Sequence, residues 1–270
     1  MKEVKIHVIR NGKVLIDRAL AYKEQTIHPM PYTGWFRGKK KKMWVPVSSY
    51  LIEHPKGLVL VDTGWHTDIR DKQRRHLSYL VSTMFKGKLP EGEAIHEQLH
   101  KRGFSPSDLD YVVLSHMHTD HVSGLKHVKD AKQLIVSEKE WNAANKDFGY
   151  VKSMWEGVKV DLFSMGKIPF GPFHKGLDLF QDESLYLVYT PGHSKGHVSV
   201  LVKVAGGWVL LAADAGYSPL SWNEQILPGV VTDENDMKKS LQWVKAFSER
   251  SDCVEVIANH DPEGKERIIQ

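Results

Sequence analysis

Directly after a short apolar run, Tyr111 to Leu114, the chain reads Ser115-His116-Met117-His118-Thr119-Asp120-His121, four potential metal ligands within six positions. A merely solvated loop has no need of that density. Imidazole nitrogen and carboxylate oxygen are ligands zinc takes at about 2.0 to 2.2 Å, and a site that does chemistry keeps a position open for water. His116 and His118, two apart in extended chain, point to one side, while Asp120 and His121 turn toward a second point where the chain enters a helix. One motif can thus serve two metals. The setting recurs downstream: strand Leu185 to Tyr189 ends in Thr190-Pro191-Gly192-His193, strand Trp208 to Ala212 ends in Asp214, and strand Val254 to Ile257 ends in Asn259-His260-Asp261. Each puts a ligand type just past a strand. A buried, unpaired carboxylate at Asp214 would cost several kcal/mol, so it needs a charged partner, which two metal ions supply.

The rest of the chain interleaves strands and helices without low-complexity linkers or a fixed repeat. Lys5 to Ile9 and Lys13 to Ile16 flank Asn11-Gly12, a two-residue hairpin signal because both positions tolerate positive φ. Val45 to Ile52 and Leu58 to Val61, separated by Pro55-Lys56-Gly57, predict a second hairpin that runs into Asp62-Thr63-Gly64. Glu93 to Arg102 is a helix stopping at Gly103, and Glu234 to Ser248 is another. Further strands are expected at Gln133 to Val136 and Val198 to Val204. The order suggests two mixed halves with sheets inside and helices outside.

Composition narrows the class. At 270 residues the chain fits one domain spanning 1–270, and 41% hydrophobic against 26% charged residues is ordinary for a folded water-soluble protein. The formal charge of +4 is too small to imply nucleic acid, and Arg37-Gly38-Lys39-Lys40-Lys41-Lys42 and Arg74-Arg75-His76 read as solvated charge runs. No apolar run approaches the roughly 20 residues of a membrane span, and the first residues lack a signal-peptide core. With one cysteine, Cys253, no internal disulfide can form, and the cytoplasm is the expected compartment. Cys253 reads as a small core residue. His7, His54, His96, His100, His127 and His174 show no spacing to a second ligand and are expected at the surface or in the core.

The H-x-H-x-D-H run at His116, His118, Asp120 and His121, with His193, Asp214 and His260 downstream, resembles the metallo-β-lactamase superfamily. Asp62-Thr63-Gly64 and the T-P-G-H-S-x-G-H run from Thr190 to His197 extend the resemblance over most of the chain. It implies an αββα sandwich with the site along one edge of the two sheets. One zinc ion would be held by His116, His118 and His193, the other by Asp120, His121 and His260, with Asp214 bridging both. Within the superfamily the chain is most similar to the N-acyl homoserine lactone lactonases, the quorum-quenching branch, through Asp214-Ala215-Gly216-Tyr217.

That resemblance implies a small acylated lactone as substrate, opened by a metal-bridging hydroxide. Tyr217 would donate to the developing oxyanion, and Asp120 would carry the proton to the leaving alkoxide. Asp62 either accepts the second ring proton of a ligand histidine or starts a turn, and His197 would steady the site. Two loops, His28 to Phe36 and Trp65 to Pro90, set this chain apart and would choose the substrate, with Met30, Tyr32, Trp35 and Phe36 forming an apolar wall for an acyl tail. A glyoxalase II-like thioester hydrolase shares all seven ligands, and a β-lactam hydrolase shares the fold. A non-catalytic metal or RNA-binding module is disfavoured by the intact ligand set.

Overall fold

The computed structural model describes residues 3–270. In chain order the strands of the first half are β1 (Lys5–Asp17), β2 (Lys42–His54), β3 (Gly57–Val61), β4 (Lys86–Lys88), β5 (Tyr111–Val113), β6 (Gln133–Ser137) and β7 (Asp161–Phe163). The second half adds β8 (Gly166–Lys167), β9 (Lys175–Asp178), β10 (Leu185–Tyr189), β11 (Val198–Val204), β12 (Gly207–Ala213), β13 (Cys253–Ala258) and β14 (Arg267–Ile269). They form an eight-stranded sheet of order β14-β1-β2-β3-β5-β6-β7, with β4 also on β1, and a six-stranded sheet of order β13-β12-β11-β10-β9-β8. Both are mixed: β3, β5, β6 and β7 run parallel, as do β12 and β13, and the other pairs are antiparallel.

Side-chain alternation divides the buried strand faces among three apolar layers. Ile6, Val8, Tyr50, Ile52, Val59 and Val61 meet Leu185, Leu187, Val200, Val202, Val209 and Leu211 between the two sheets. The opposite faces pack outward. Val45, Val47, Leu51 and Leu60 lie against Ile95, Leu99 and Ala144, which belong to the helices over the first sheet. Tyr186, Val188, Leu201 and Leu210 lie against Met237, Leu241, Val244 and Phe247 of the helix Glu234–Ser248. That helix has the bounds the sequence predicted; Asp233 caps its first turn through a hydrogen bond from the Asp236 amide. Helix, sheet, sheet, helix is therefore the order of layers, the αββα sandwich.

The hairpin expected at Asn11-Gly12 does not form. β1 runs straight through it, and its register against β2 shifts between Arg10 and Lys13, so that two residues stand opposite one. This is a β-bulge, and it inverts the facing of the strand. Ile6 and Val8 point between the sheets, whereas Val14 and Ile16, of the same parity, point to the outer layer. Tertiary contacts hold it: buried Asn11 donates to the Glu93 carbonyl at 2.9 Å and accepts from Ser49 Oγ at 2.5 Å. Gly12, at φ +83°, has the Lys88 carbonyl oxygen 2.2 Å from where a Cβ would sit. The hairpin expected around Pro55-Lys56-Gly57 does form, between β2 and β3.

Other local readings need correction. Residues 65–90 are not an open loop: they contain short helices at Gln73–His76 and Tyr79–Met84 and strand β4, and Trp65 is fully buried, donating to the Lys13 carbonyl. Arg37, beside the solvated lysines, is instead buried in a two-pronged pair with Asp17 at 2.8 and 3.0 Å. Cys253 is only half-buried. Among the described residues no helix is long and apolar enough to cross a membrane.

Candidate metal centre

All the ligand-type residues expected at strand ends converge at one rim of the sandwich. Asp62 follows β3, Ser115 and His116 follow β5, His193 follows β10, Asp214 follows β12 and His260 follows β13. The sheets are tied there by a hydrogen bond from the Val198 amide to the Ser115 carbonyl. Two turns at the rim are strained: Asp62 and Ala213, neither a glycine, have φ of +59° and +47°. The second re-aims the chain immediately before Asp214.

The carboxylate of Asp214 is the centre of the arrangement. Its Oδ2 lies 3.3 Å from His193 Nε2 and 4.0 Å from His116 Nε2, and its Oδ1 lies 3.2 Å from His121 Nε2 and 3.4 Å from His260 Nε2. His118 Nδ1 is 2.9 Å from His193 Nε2, and Asp120 Oδ2 is 3.3 Å from His260 Nε2. Two donors held about 2.1 Å from a tetrahedral ion are separated by about 3.4 Å, so most of these spacings need little change to close on a metal. Three overlapping groups have donor atoms within 4.8 Å of one another: His116, His118 and His193; His116, His121 and Asp214; Asp120, His121 and His260.

The protein leaves several of these atoms without partners. His116 Nε2, His193 Nδ1 and Asp214 Oδ1 are buried and make no hydrogen bond. Buried polar atoms are normally satisfied, and His116 Nε2 and Asp214 Oδ1, both turned into the histidine cluster, fit donors to a cation. Electrostatics agree. Burial drives His116 and His193 well below, and His118 below, the ordinary imidazole range, so each of these rings is neutral and carries a lone pair. Burial also works against protonating His121 and His260, yet the Asp214 carboxylate overrides it and both are raised. Asp214 itself, which burial alone would push up, is held well below the carboxylate range by His260 and His121. A carboxylate that must recruit two imidazolium protons is a carboxylate that a divalent ion can satisfy in their place.

The surrounding shell fixes ring orientation. His121 Nδ1 donates to Asp62 Oδ2 at 2.8 Å, and Asp62 also accepts from the Ser115 amide and hydroxyl at 2.8 and 2.7 Å. The first of the two readings of Asp62 is therefore the observed one. His260 Nδ1 donates to the Pro46 carbonyl at 2.8 Å, which turns Nε2 inward. His197 donates to the Thr190 carbonyl and accepts the Asp214 amide at 3.1 Å, steadying that residue's backbone. Tyr217, 5% exposed, stacks on His260 at 5.0 Å between centroids. Burial, with Asp214 and Asp120 nearby, raises its hydroxyl well above the usual range, so it stays protonated as a donor.

One organising residue was not visible in the sequence. Glu140, fully buried, accepts from the Met117 amide (3.0 Å), the Gly196 amide (2.9 Å), Ser194 Oγ (2.7 Å) and Tyr150 OH (3.2 Å). It clamps the His116-x-His118 loop to the loop carrying His193. Gly196 lets the two backbones meet, since a Cβ there would lie 2.1 Å from the Glu140 amide nitrogen. The only local signal is Ser137, which caps the helix Glu138–Lys146 through the Glu140 amide and makes Glu140 look like an ordinary first-turn acid.

In sequence and fold the chain is similar to known proteins. Residues 43–249 match the model of the metallo-beta-lactamase superfamily. The chain is 30% identical over 231 residues to the N-acyl homoserine lactonase AttM of Azorhizobium caulinodans, covering 81% of this chain and 83% of that protein. It is 30% identical over 223 residues to an N-acyl homoserine lactonase of Bacillus cereus, covering 82% and 80%. Among solved structures, an N-acyl homoserine lactone hydrolase with N-hexanoyl-L-homoserine bound at its catalytic metal centre superposes with a TM-score of 0.78 at 25% identity, covering 97% of this chain and 95% of that one. The family model spans more than half of the chain, and the chain belongs to the metallo-beta-lactamase superfamily.

Proposed function

We propose that this protein is a hydrolase that opens the ring of N-acyl homoserine lactones or a closely related lactone, using two zinc ions. The observation that carries the reading is the Asp214 carboxylate, one oxygen turned to His116 and His193 and the other to His121 and His260, with Tyr217 alongside. His116, His118 and His193 would hold one ion in this reading and Asp120, His121 and His260 the other, with the Asp214 carboxylate available to both. The names of the relatives support the substrate class. The pairing of β14 with β1, which joins the two ends of the described chain in one sheet, supports residues 1–270 acting as a single hydrolase domain.

When bound, the ions supply Lewis acidity and a water activated near neutral pH. The chain's own residues do the rest. Tyr217 donates its hydroxyl to the lactone carbonyl oxygen as negative charge develops there. Asp120, whose side chain is 18% exposed at the mouth of the site, carries the proton that the departing alkoxide needs. The acyl tail lies along the loop 28–36. There Met30 is 41% exposed, Phe36 fully so, and Trp35 is fixed by a hydrogen bond from Nε1 to Thr83 Oγ1 at 3.1 Å. Tyr22 and Ser218 share a hydrogen bond of 2.7 Å beside Tyr217, which ties the end of β1 and its following turn to the catalytic rim.

A pH-indicator assay on the metal-loaded protein, run in parallel on acyl homoserine lactones, nitrocefin and lactoylglutathione, tests the proposal. Turnover of the lactones at least about a hundredfold above the other two is expected; preferential hydrolysis of the thioester would assign the site to a glyoxalase II-like reaction.

A further inference from the structure

Outside the catalytic rim the chain gathers four more histidines that share no sequence spacing. The rings of His76, His66, His127 and His96 form a row, with centroids 4.9, 4.0 and 4.2 Å apart in turn and the first two pairs nearly parallel at 17° and 9°. They come from four segments: the turn after β3, the helix Gln73–His76, the turn Ser123–Val128 and the helix Ile95–Lys101. At one end of the row stands Asp68, with Oδ2 3.6 Å from His66 Nδ1 and 3.9 Å from His76 Nδ1.

We propose that His66, Asp68 and His76 form a separate, exchangeable site for a borderline divalent cation such as Zn2+, which staples the turn Thr67–Ile69 to the helix Gln73–His76. Three observations support it. The candidate donor atoms of this trio lie within 4.8 Å of one another, and the two spacings to Asp68 exceed the roughly 3.4 Å of a tetrahedral ligand pair by only a few tenths of an ångström. The His76 ring is oriented from behind, as ligand histidines are: its Nε2 donates to Ser123 Oγ at 2.6 Å, and the same oxygen accepts the His66 backbone amide at 2.9 Å. Lys72 engages only the other oxygen of Asp68, at 3.8 Å.

The protonation state suits a cation. Burial lowers His66, and takes His76 down to about 4 and His127 to about 3, so no proton competes for these lone pairs near neutral pH. Two imidazoles and one carboxylate are a zinc-type donor set, and partial exposure of the trio, 18%, 38% and 12%, leaves the remaining position to water. In the structure His66 Nδ1 accepts the Asp68 amide at 3.1 Å, capping a three-residue turn; the cation takes over that lone pair. Its occupancy would brace one neighbour of the catalytic rim: Ser123, held by His76 and by the His66 amide, stands two residues after His121.

This inference is independent of the substrate proposed above, and its test does not read turnover. Holoprotein stripped of loose metal by gel filtration is titrated with Zn2+ by calorimetry, alongside the variants Asp68→Asn and His76→Gln. Asp68 is exposed enough for its variant to fold. One saturable equivalent beyond the resident metal is expected in the parent, together with a zinc-dependent rise in Tm and slower amide exchange in residues 66–76. Each variant should weaken that equivalent at least about tenfold while retaining the resident metal. No additional equivalent in the parent, or an undiminished one in Asp68→Asn, overturns the site and leaves the histidine row as packing alone.

Discussion

Replacing Glu140 with Gln changes one oxygen to an NH2 group and leaves the shape intact, which makes it a sharp probe of how the metal centre is held. Oε1 takes the Met117 amide and Tyr150 OH, and Oε2 takes the Gly196 amide and Ser194 Oγ. Whichever way the new amide turns, its NH2 faces a backbone N–H that cannot move aside, and that donor is stranded in a fully buried setting. A stranded buried donor costs about 1–3 kcal/mol, and losing the charge from the remaining hydrogen bonds brings the total to roughly 2–4 kcal/mol. For a chain of this size that corresponds to a fall in Tm of about 5–12 °C. The damage should not be uniform. Met117 lies between His116 and His118, and Ser194 and Gly196 follow His193, so the affinity of that group of ligands should weaken by about ten- to a hundredfold. Scanning calorimetry gives the first quantity and chelator competition with elemental analysis the second. A Glu140→Gln protein that melts and binds metal like the parent would refute the clamp; one that melts lower but binds metal unchanged would reduce Glu140 to a packing role.

Tyr217→Phe should keep both fold and metal content and lower lactone kcat by roughly ten- to hundredfold, because one donor to the oxyanion is lost while a metal shares the charge; an unchanged kcat would make the ring mere packing on His260. Asp214→Ala should drop metal content below two per chain and remove most turnover, and parent-like activity would exclude it from the centre. The metal-free protein should be most stable near pH 6.5, the ordinary imidazole value. Above it, His121 and His260, raised in the fold, lose the protons that stabilise them; below it, His116 and His193, lowered in the fold, must be charged. Metal should abolish the alkaline loss and should itself dissociate as pH falls, both readable from Tm against pH with and without zinc. Gly12→Ala should lower Tm by about 5 °C or more, since the new Cβ meets the Lys88 carbonyl at positive φ, and a neutral result would contradict the bulge.

What the sequence determined by itself was local. Density of ligand types at His116 to His121 pointed to a metal because no short-range structural need produces it, and the recurrence of such residues after apolar strands pointed to one rim. Periodicity assigned the helix Glu234–Ser248 and the strand Leu185–Tyr189 with their observed bounds, because burial on one or two faces writes itself into neighbouring positions. The tertiary structure decided whatever depends on partners far along the chain. Asn11-Gly12 has the local chemistry of a hairpin turn and becomes a bulge because Glu93, Ser49 and Lys88 close around it. Arg37 reads as solvated until Asp17 buries it, and Glu140 reads as a helix-start acid until two loops some 20 and 55 residues away converge on its carboxylate. His66, His76, His96 and His127 have no common spacing at all, and only the packing of four separate segments makes them neighbours. A side chain's type and its immediate neighbours fix what it can bond to; which bonds form is set by long-range contacts that no window of local sequence contains.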